Sequence, residues 1–202
     1  MGCGQGILAR ALLPEVSYLG IDLSATLIAH AKQYDKKKNH RYIVGDITKP
    51  LSIKETFTHA ACVLAMQNIE NPAQGCKQVG AHLIRGATFV IVLNHPCFRI
   101  PRQSSWGVDM SKKMQYRRID HYLTPLKIPI AAHPGKKEKS EMTWSFHYPL
   151  SAYFHFLSDA GFSVSMVEEW VSPKHSTGKN AKMENRARAE FPLFLAIKAQ
   201  KL

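Results

Sequence analysis

Three short segments near the start of the chain combine residue types that can hold an adenosine-containing ligand. Residues 2–6 read GCGQG, and glycines permit positive φ and close approach of a ligand to bare backbone. Asp22 follows an apolar segment, and a carboxylate at such a strand end can accept hydrogen bonds from both hydroxyls of a ribose. Asp46 and Ile47 follow the next apolar segment, where they could contact the adenine amino group and the adenine ring.

The elements that must position these segments alternate between helix and strand. We predict a short helix over 7–13, strands over 16–21, 41–44, 60–65 and 87–93, and helices over 25–34 and 72–84. This order is typical of an α/β fold with a doubly wound, mostly parallel sheet. Such sheets bind ligands at the carboxyl ends of their strands, so we expect the glycine turn and both carboxylates to meet there.

The alternation ends after residue 94. Residues 95–142 carry five prolines and many charges, and we predict that residues 95–148 form an insertion that shapes an acceptor site inside one domain of residues 1–202. A helix over 150–160 and strands over 162–170 and 194–199 follow. The polar segment 172–190 is predicted to be a loop, so the last two strands should form an antiparallel hairpin at the sheet edge.

The spacing of the glycines narrows the choice of ligand. A nicotinamide dinucleotide site has Gly or Ala three residues after the second glycine, whereas Ile7 holds that place here and Gly6 comes one residue earlier. The phosphate-binding P-loop requires a Gly-Lys-Ser/Thr sequence, which does not follow the turn.

The order GCGQG, GIDLS, VGDITKP, ACVLAMQNIENP and GATFVIVLN resembles the class I (Rossmann-like) S-adenosylmethionine-dependent methyltransferases. The resemblance covers residues 2–94 and the edge hairpin near 162–199. It implies that the chain uses S-adenosylmethionine to methylate an acceptor. By the same resemblance, an apolar strand should precede the glycine turn. Met1 stands directly before Gly2, so we expect the first strand of the sheet to be missing and the chain to be an N-terminally shortened version.

The resemblance also implies roles for individual residues. The glycine turn, with Gly2, Cys3, Gly4 and Gly6, would flank the methionine part of the cofactor. Asp22 would hold the ribose, Leu23 would lie at the adenine edge, and Asp46 and Ile47 would flank the adenine. The residues after the fourth strand of such a sheet would face the cofactor near its sulfonium; these are Ala65, Met66 and Gln67.

A general base is needed only if the acceptor must lose a proton. His95, just beyond the strand predicted over 87–93, is the best-placed candidate for that catalytic role. An acceptor pocket could also be lined by His121, Tyr122, His147 and Tyr148. Phe98, Arg99, Arg102 and Trp106 would suit a small planar or anionic acceptor.

Charge leaves the acceptor class open. The net charge is +12, and residues 95–142 hold ten Lys or Arg against four Asp or Glu. A small-molecule acceptor is the leading hypothesis, although a basic surface also fits a methyltransferase of RNA or protein. A cofactor-binding homologue without catalysis is the third possibility. The four cysteines show no metal-site spacing, which predicts reduced thiols in a cytoplasmic protein without a metal, and no membrane span is predicted.

Overall fold

The computed structural model describes residues 1–131 and 142–202. The helices within them are α1 (Ile7–Ala11), α2 (Ala25–Tyr34), α3 (Pro72–Ala81), α4 (Leu150–Asp159) and α5 (Ala181–Glu190). The strands are β1 (Tyr18–Asp22), β2 (His40–Val44), β3 (Phe57–Val63), β4 (Leu83–Asn94), β5 (Ser104–Asp109), β6 (Met114–Ile119), β7 (Leu126–Ala131), β8 (Met142–His147), β9 (Phe162–Trp170) and β10 (Phe194–Lys201).

The strands that carry the predicted site residues lie in two sheets. β1 and β2 form a parallel pair, and a four-stranded sheet has the order β3-β4-β10-β9. β3 and β4 are parallel, whereas β10 runs antiparallel to both β4 and β9. The predicted α/β class and the antiparallel pairing of the last two strands agree with this arrangement. The strands do not form one continuous sheet, because they divide into two sheets between β1 and β3.

An apolar slot of about 130 Å³ separates β1 from β3. Leu19 and Ile21 line it from β1, and Phe57 and Ala61 line it from β3. Residues 1–3 span one part of this gap: the amino nitrogen of Met1 donates to the carbonyl of Ala61 (2.6 Å), and the amide of Cys3 donates to the carbonyl of Ile21 (3.0 Å). Within the described residues no strand lies between these two edges.

Helix boundaries follow local capping. Ser24 accepts a hydrogen bond from the amide of Leu27 at the start of α2, and Asn71 accepts one from Gln74 at the start of α3. α3 and α4 pack against each other and cover a core made of strand residues from β3, β4 and β10. The fully buried side chains at its centre are Cys62, Phe89, Ile91, Leu195 and Ile197.

Two segments predicted to be irregular contain regular structure. Residues 104–119 form the hairpin β5–β6, and β7 pairs with β8 in antiparallel register. Proline and charge obscured the strand pattern: β7 itself contains Pro129, which pairs with Trp144. The part of the predicted insertion at 132–141 lies outside the described residues.

The segment 172–190 contains a helix that the sequence analysis missed. α5 buries only Ala187 and carries charge along most of its length, so it lacks the apolar stripe by which amphipathic helices are recognised. Polar contacts hold it instead, since Asn185 accepts from the amide of Ser176 (2.7 Å) and Glu184 pairs with Arg188. None of the helices in the described residues is long and apolar enough to cross a membrane.

Candidate functional site

A cavity of about 680 Å³ opens at the carboxyl ends of β1, β2 and β3. This volume lies within the range usual for small-molecule sites. Six of the eleven predicted cofactor-binding residues line it: Gly2, Asp22, Leu23, Asp46, Ile47 and Ala65. The glycine turn and the two carboxylates therefore surround one space, as the sequence predicted from strand order.

Asp22 ties the glycine turn to the end of β1. Its Oδ2 accepts a hydrogen bond from the amide of Gly4 (2.8 Å), and its Oδ1 accepts one from the amide of Ser24 (3.0 Å). A carboxylate oxygen has two lone pairs, so each oxygen can still accept a further hydrogen bond from a ligand hydroxyl. Asp22 thus both fixes the turn and presents a charged acceptor to the cavity.

Asp46 holds the equivalent place at the end of β2. Its Oδ1 accepts from the hydroxyl (2.7 Å) and the amide (2.9 Å) of Thr48, while Lys49 lies 3.6 Å from its Oδ2. The hydrogen bonds from Thr48, and then the charge of Lys49, hold the pKa of Asp46 below its usual value. The side chain is therefore an ionised acceptor at neutral pH.

Gly2 makes the close approach between the turn and β3 possible. Its φ is +60°, and a Cβ built on it would lie 2.3 Å from the Cβ of Ala65. Any larger residue would push the turn away from the end of β3 and enlarge the gap at the floor of the cavity.

The other five predicted cofactor residues lie beside the cavity rather than in its wall. Gly4 contributes its amide to Asp22, and Gly6, at φ +76°, lies against Tyr42 and begins α1. Cys3 is partly buried, and burial together with the charge of Asp22 raises its pKa to about 11. Met66 is a core residue with 1% exposure, and Gln67 lines a separate small cleft.

The paired strands β7 and β8, called the β7–β8 hairpin below, border the cavity. Thr143, Trp144 and Phe146 of β8 line it. Lys127 of β7 pairs with Glu70 (2.8 Å) and lies over the ring of Trp144, and the hydroxyl of Tyr148 donates to the carbonyl of Glu70 (2.9 Å). Glu70 belongs to the loop after β3, so the hairpin is fastened to the cavity rim.

Residues 143, 144 and 146 were not among the cofactor-binding residues predicted from the sequence. Their place at the cavity depends on the pairing of β7 with β8, and the local sequence pattern does not show this pairing. An exposed Trp144 within a charged segment was the one available signal, because aromatic side chains at a cavity rim commonly contact ligands.

His95 lies outside the cavity, and both of its ring nitrogens are engaged. Its Nε2 donates to Glu169 of β9 (2.6 Å), its Nδ1 accepts from the amide of Cys97 (3.2 Å), and the residue is 1% exposed. Burial lowers its pKa, more than the pairing with Glu169 raises it. In this arrangement no ring nitrogen of His95 is available to an acceptor.

Among the predicted acceptor-site residues, His147 and Tyr122 lie together. The Nε2 of His147 donates to the carbonyl of Tyr122 (2.7 Å), and the Tyr122 hydroxyl accepts from the amide of Leu150 (3.1 Å). Burial lowers the pKa of His147, which favours its neutral form. Phe98 and Trp106 instead pack edge-on against Phe191 in a cluster away from the cavity.

Comparison with known proteins agrees with this geometry. Residues 1–91 match the family model described as a methyltransferase domain. A crystal structure of an S-adenosylmethionine-dependent methyltransferase from Mesorhizobium loti is 25% identical, with a TM-score of 0.76 over 99% of this chain and 88% of that one. A methyltransferase of the same description from Clostridium acetobutylicum is 17% identical, with a TM-score of 0.67 over 99% and 81% of the two chains.

A glycopeptide N-methyltransferase in complex with S-adenosylmethionine is 13% identical, with a TM-score of 0.60 over 100% of this chain and 79% of that one. These last two likenesses concern the fold alone. Among curated proteins, none matches the sequence. Residues 1–91 thus match a methyltransferase domain, and the chain is similar in fold over nearly its whole length to S-adenosylmethionine-dependent methyltransferases.

Proposed function

We propose that the cavity binds S-adenosylmethionine and that the protein transfers its methyl group to a small-molecule acceptor. The observation that carries the proposal is the single cavity lined by Gly2, Asp22 and Asp46 at adjoining strand ends. The chemistry of these groups fits the cofactor, because two carboxylates can accept hydrogen bonds from ribose hydroxyls and from an adenine amino group. Leu23 and Ile47 supply apolar contacts for the adenine ring.

When bound, the cofactor supplies an electrophilic methyl group on a positively charged sulfur. The residues of the chain act mainly by orientation and by exclusion of water. The glycine turn, held by Asp22, would fix the methionine end, and Ala65 would border the reacting centre. Thr143, Trp144 and Phe146 would cover the bound pair. The acceptor atom forms the new bond with its lone pair, the carbon–sulfur bond breaks with its pair going to sulfur, and the acceptor releases a proton.

A small acceptor is favoured over RNA or protein by the cavity volume of about 680 Å³, which is the size usual for small-molecule sites. Binding of RNA through the basic surface would show a steep dependence on salt concentration, which a small neutral or singly charged acceptor would not. The general-base role predicted for His95 stays a prediction, and it would require the ring to leave Glu169 or Cys97 and turn toward the cavity. The four free thiols are consistent with a cytoplasmic location.

Calorimetric titration with S-adenosylhomocysteine tests the cofactor assignment. We expect binding by the unaltered chain and a loss of about 10- to 100-fold in affinity for Asp22→Asn and for Asp46→Asn, since hydrogen bonds to charged groups contribute about 1.5–3 kcal/mol. Asp109→Asn is a matched control, because Asp109 accepts similar turn hydrogen bonds from Ser111 and Lys112 far from the cavity. No binding by the unaltered chain, or equal losses in all three variants, would contradict the proposal.

We also propose that the slot between β1 and β3 is the place of a central strand parallel to both. Its apolar walls support this order, as do the carbonyls of Ile21 and Ala61, which accept hydrogen bonds from Cys3 and Met1 across the slot and not from a neighbouring strand. Fusing a short Val/Ile-rich extension before Met1 should raise the thermal midpoint, whereas a Gly/Ser extension of equal length should not. Equal midpoints for the two extended chains would count against a strand in the slot.

A further inference from the structure

A small polar cleft adjoins the cavity at Phe146, which lines both spaces, and Gln67 of the cleft is the chain neighbour of Asn68 in the cavity wall. The polar side chains around the cleft belong to Gln67, Asn94, Arg99, Ser145, His147 and Tyr153. Its volume of about 20 Å³ leaves room for one small end group, so the rest of a ligand would lie outside the cleft.

Arg99 is the charged residue of this cleft. Its guanidinium is half-buried, and it makes no side-chain hydrogen bond or ion pair with any residue in the described ranges 1–131 and 142–202. Burial lowers its pKa, and no described carboxylate offsets that effect. An unpaired, partly desolvated guanidinium is energetically unfavourable unless a mobile or bound anion accompanies it.

A second guanidinium, that of Arg117, adds to the positive charge near Arg99. Burial and the nearby charge of Arg99 both lower the pKa of Arg117. Two hydrogen bonds hold Arg117 in place: its Nε donates to the carbonyl of Phe98 (2.9 Å), and one terminal nitrogen donates to the hydroxyl of Ser104 (2.7 Å). Arg117 is thus fixed in place as a positive neighbour, and Arg99 retains the free donors.

Gln67 supplies the complementary acceptor. Its Nε2 donates to the carbonyl of Leu64 (3.0 Å), which directs Oε1 the other way. That Oε1 is buried and has no hydrogen-bond partner among the described residues. A buried carbonyl oxygen without a donor is uncommon and costs free energy, so a ligand N–H or O–H at this point would be stabilising.

His147 completes the cleft as a neutral side chain. Because its Nε2–H is used by the carbonyl of Tyr122, its Nδ1 carries the lone pair. A neutral imidazole does not compete with an anion for Arg99, and Nδ1 can accept a hydrogen bond from the ligand.

We infer that the cleft binds the carboxylate end of the methyl acceptor, with Arg99 pairing with the carboxylate and Gln67 Oε1 accepting from an N–H or O–H group next to it. The acceptor class is accordingly an acid that carries an amino or hydroxyl group close to its carboxylate. The inference rests on the proposed function for the identity of the ligand as an acceptor. Phe146 separates this end from the cavity, where the rest of the acceptor would meet the cofactor.

Nuclear magnetic resonance of the arginine Nε–H groups tests the cleft directly. Glycolate, acetate and acetamide are titrated at constant ionic strength into protein loaded with S-adenosylhomocysteine. We expect glycolate and acetate to shift the Arg99 Nε–H resonance saturably, with glycolate binding several-fold more tightly, and acetamide to leave it unchanged. In the Arg99 variants the Nε–H of the neighbouring Arg117 reports binding instead. Arg99→Gln should abolish acetate binding, Arg99→Lys should retain weaker binding, and Gln67→Leu should reduce glycolate binding to the level of acetate.

Arg118→Gln is the matched control, because Arg118 is an exposed arginine of β6 that pairs with Asp120. Equal shifts at all arginines, or binding of acetate unchanged in Arg99→Gln, would overturn the inference. Calorimetry with S-adenosylhomocysteine on the same samples separates the two proposals. If the protein binds S-adenosylhomocysteine but the Arg99 resonance does not respond, only the carboxylate site is refuted. If the Arg99 resonance responds but S-adenosylhomocysteine does not bind, the proposed function is refuted and the cleft remains an anion site.

Discussion

The two sheets on either side of the slot are stabilised by different interactions. The four-stranded sheet has a large apolar core in which Phe89, Leu195 and Ile197 are almost fully buried. The β1–β2 pair has a small core made of Ala9, Ile28, Ala31 and Tyr42. Beneath it lies a polar cluster: Asp35 accepts from the Tyr42 hydroxyl (2.6 Å) and contacts His40 Nδ1 (2.6 Å).

The difference bears on function because the smaller sheet carries both carboxylates of the candidate cofactor site. Lys37 adds three further polar contacts, donating to the carbonyls of Ala9, Arg10 and Leu12 at the end of α1. Polar clusters of this kind depend on every partner being present, whereas apolar cores lose stability in proportion to the volume removed. The stability of the β1–β2 half of the site, which holds Asp22 and Asp46, should therefore change most on ligand binding and with pH.

The largest effect is expected in the core of the four-stranded sheet. Ile197→Ala should lower the free energy of unfolding by about 4 kcal/mol, because a fully buried isoleucine loses its apolar contacts and leaves a cavity. Urea denaturation measures this loss. Val167→Ala on the neighbouring strand, where the side chain is 42% exposed, serves as the control and should change stability by less than about 1 kcal/mol. If Ile197→Ala lowered the free energy of unfolding by less than about 1 kcal/mol, the core would have to be loosely packed.

A somewhat smaller and more local effect is expected in the β1–β2 pair. Asp35→Asn should cost about 3 kcal/mol, because Tyr42 and His40 lose a buried charged acceptor. Hydrogen exchange should show faster exchange in β1, β2 and α2 with little change in β10. Glu55→Gln, which breaks the exposed pair with Arg41, should leave exchange nearly unaltered. Uniform loss of protection across both sheets would show that they unfold as one unit.

The same cluster makes the smaller sheet sensitive to acid. Burial raises the pKa of Asp35, but hydrogen bonds from Tyr42 and His40 outweigh burial and bring the pKa to about 2. An unfolded aspartate titrates near ~3.9, so this stabilisation is present above pH ~4 and is lost as pH falls through the folded value. The difference in β1–β2 protection between the unaltered chain and Asp35→Asn should shrink by about 2 kcal/mol between pH 5 and pH 2. A constant difference would contradict the assigned role.

Much of this arrangement follows from sequence, and the remainder depends on tertiary contacts. The bounds of α2 and β9 agree with prediction. Ser24 caps the start of α2, and β9 is the run of residues that lies between Gly161 and Val171. Gly2, Asp22 and Asp46 meet because parallel strand ends share an edge. The separation of the strands into two sheets was anticipated only as a missing strand.

The hairpins and α5 were missed because they lack the apolar periodicity on which prediction relies. β7 contains a proline, and α5 combines six polar or charged residues with three alanines and one methionine. The partners of His95, Arg99 and Gln67 come from elements distant in sequence, so neither the closed environment of His95 nor the unpartnered groups of the cleft could be read from spacing.

The smallest effect is expected at the hairpin over the cavity. Lys127→Gln removes the exposed pair with Glu70 and the contact with Trp144, and should weaken S-adenosylhomocysteine binding by no more than about five-fold, since exposed pairs contribute under about 1 kcal/mol. Lys112→Gln, which breaks a similar exposed pair with Asp109, should have no effect on binding. If Lys127→Gln weakened binding as much as Asp22→Asn does, the Lys127 side chain itself would have to contact the cofactor.

Hydrogen exchange with and without S-adenosylhomocysteine reports where the ligand lies. We expect the ligand to slow exchange at residues 2–6, 22–27, 45–48 and 65–69, on both sides of the slot, with the greatest gain in the β1–β2 half, which has the smaller apolar core. Protection confined to the β5–β6 hairpin, or none at residues 2–6 and 22–27 under saturating ligand, would contradict this expectation.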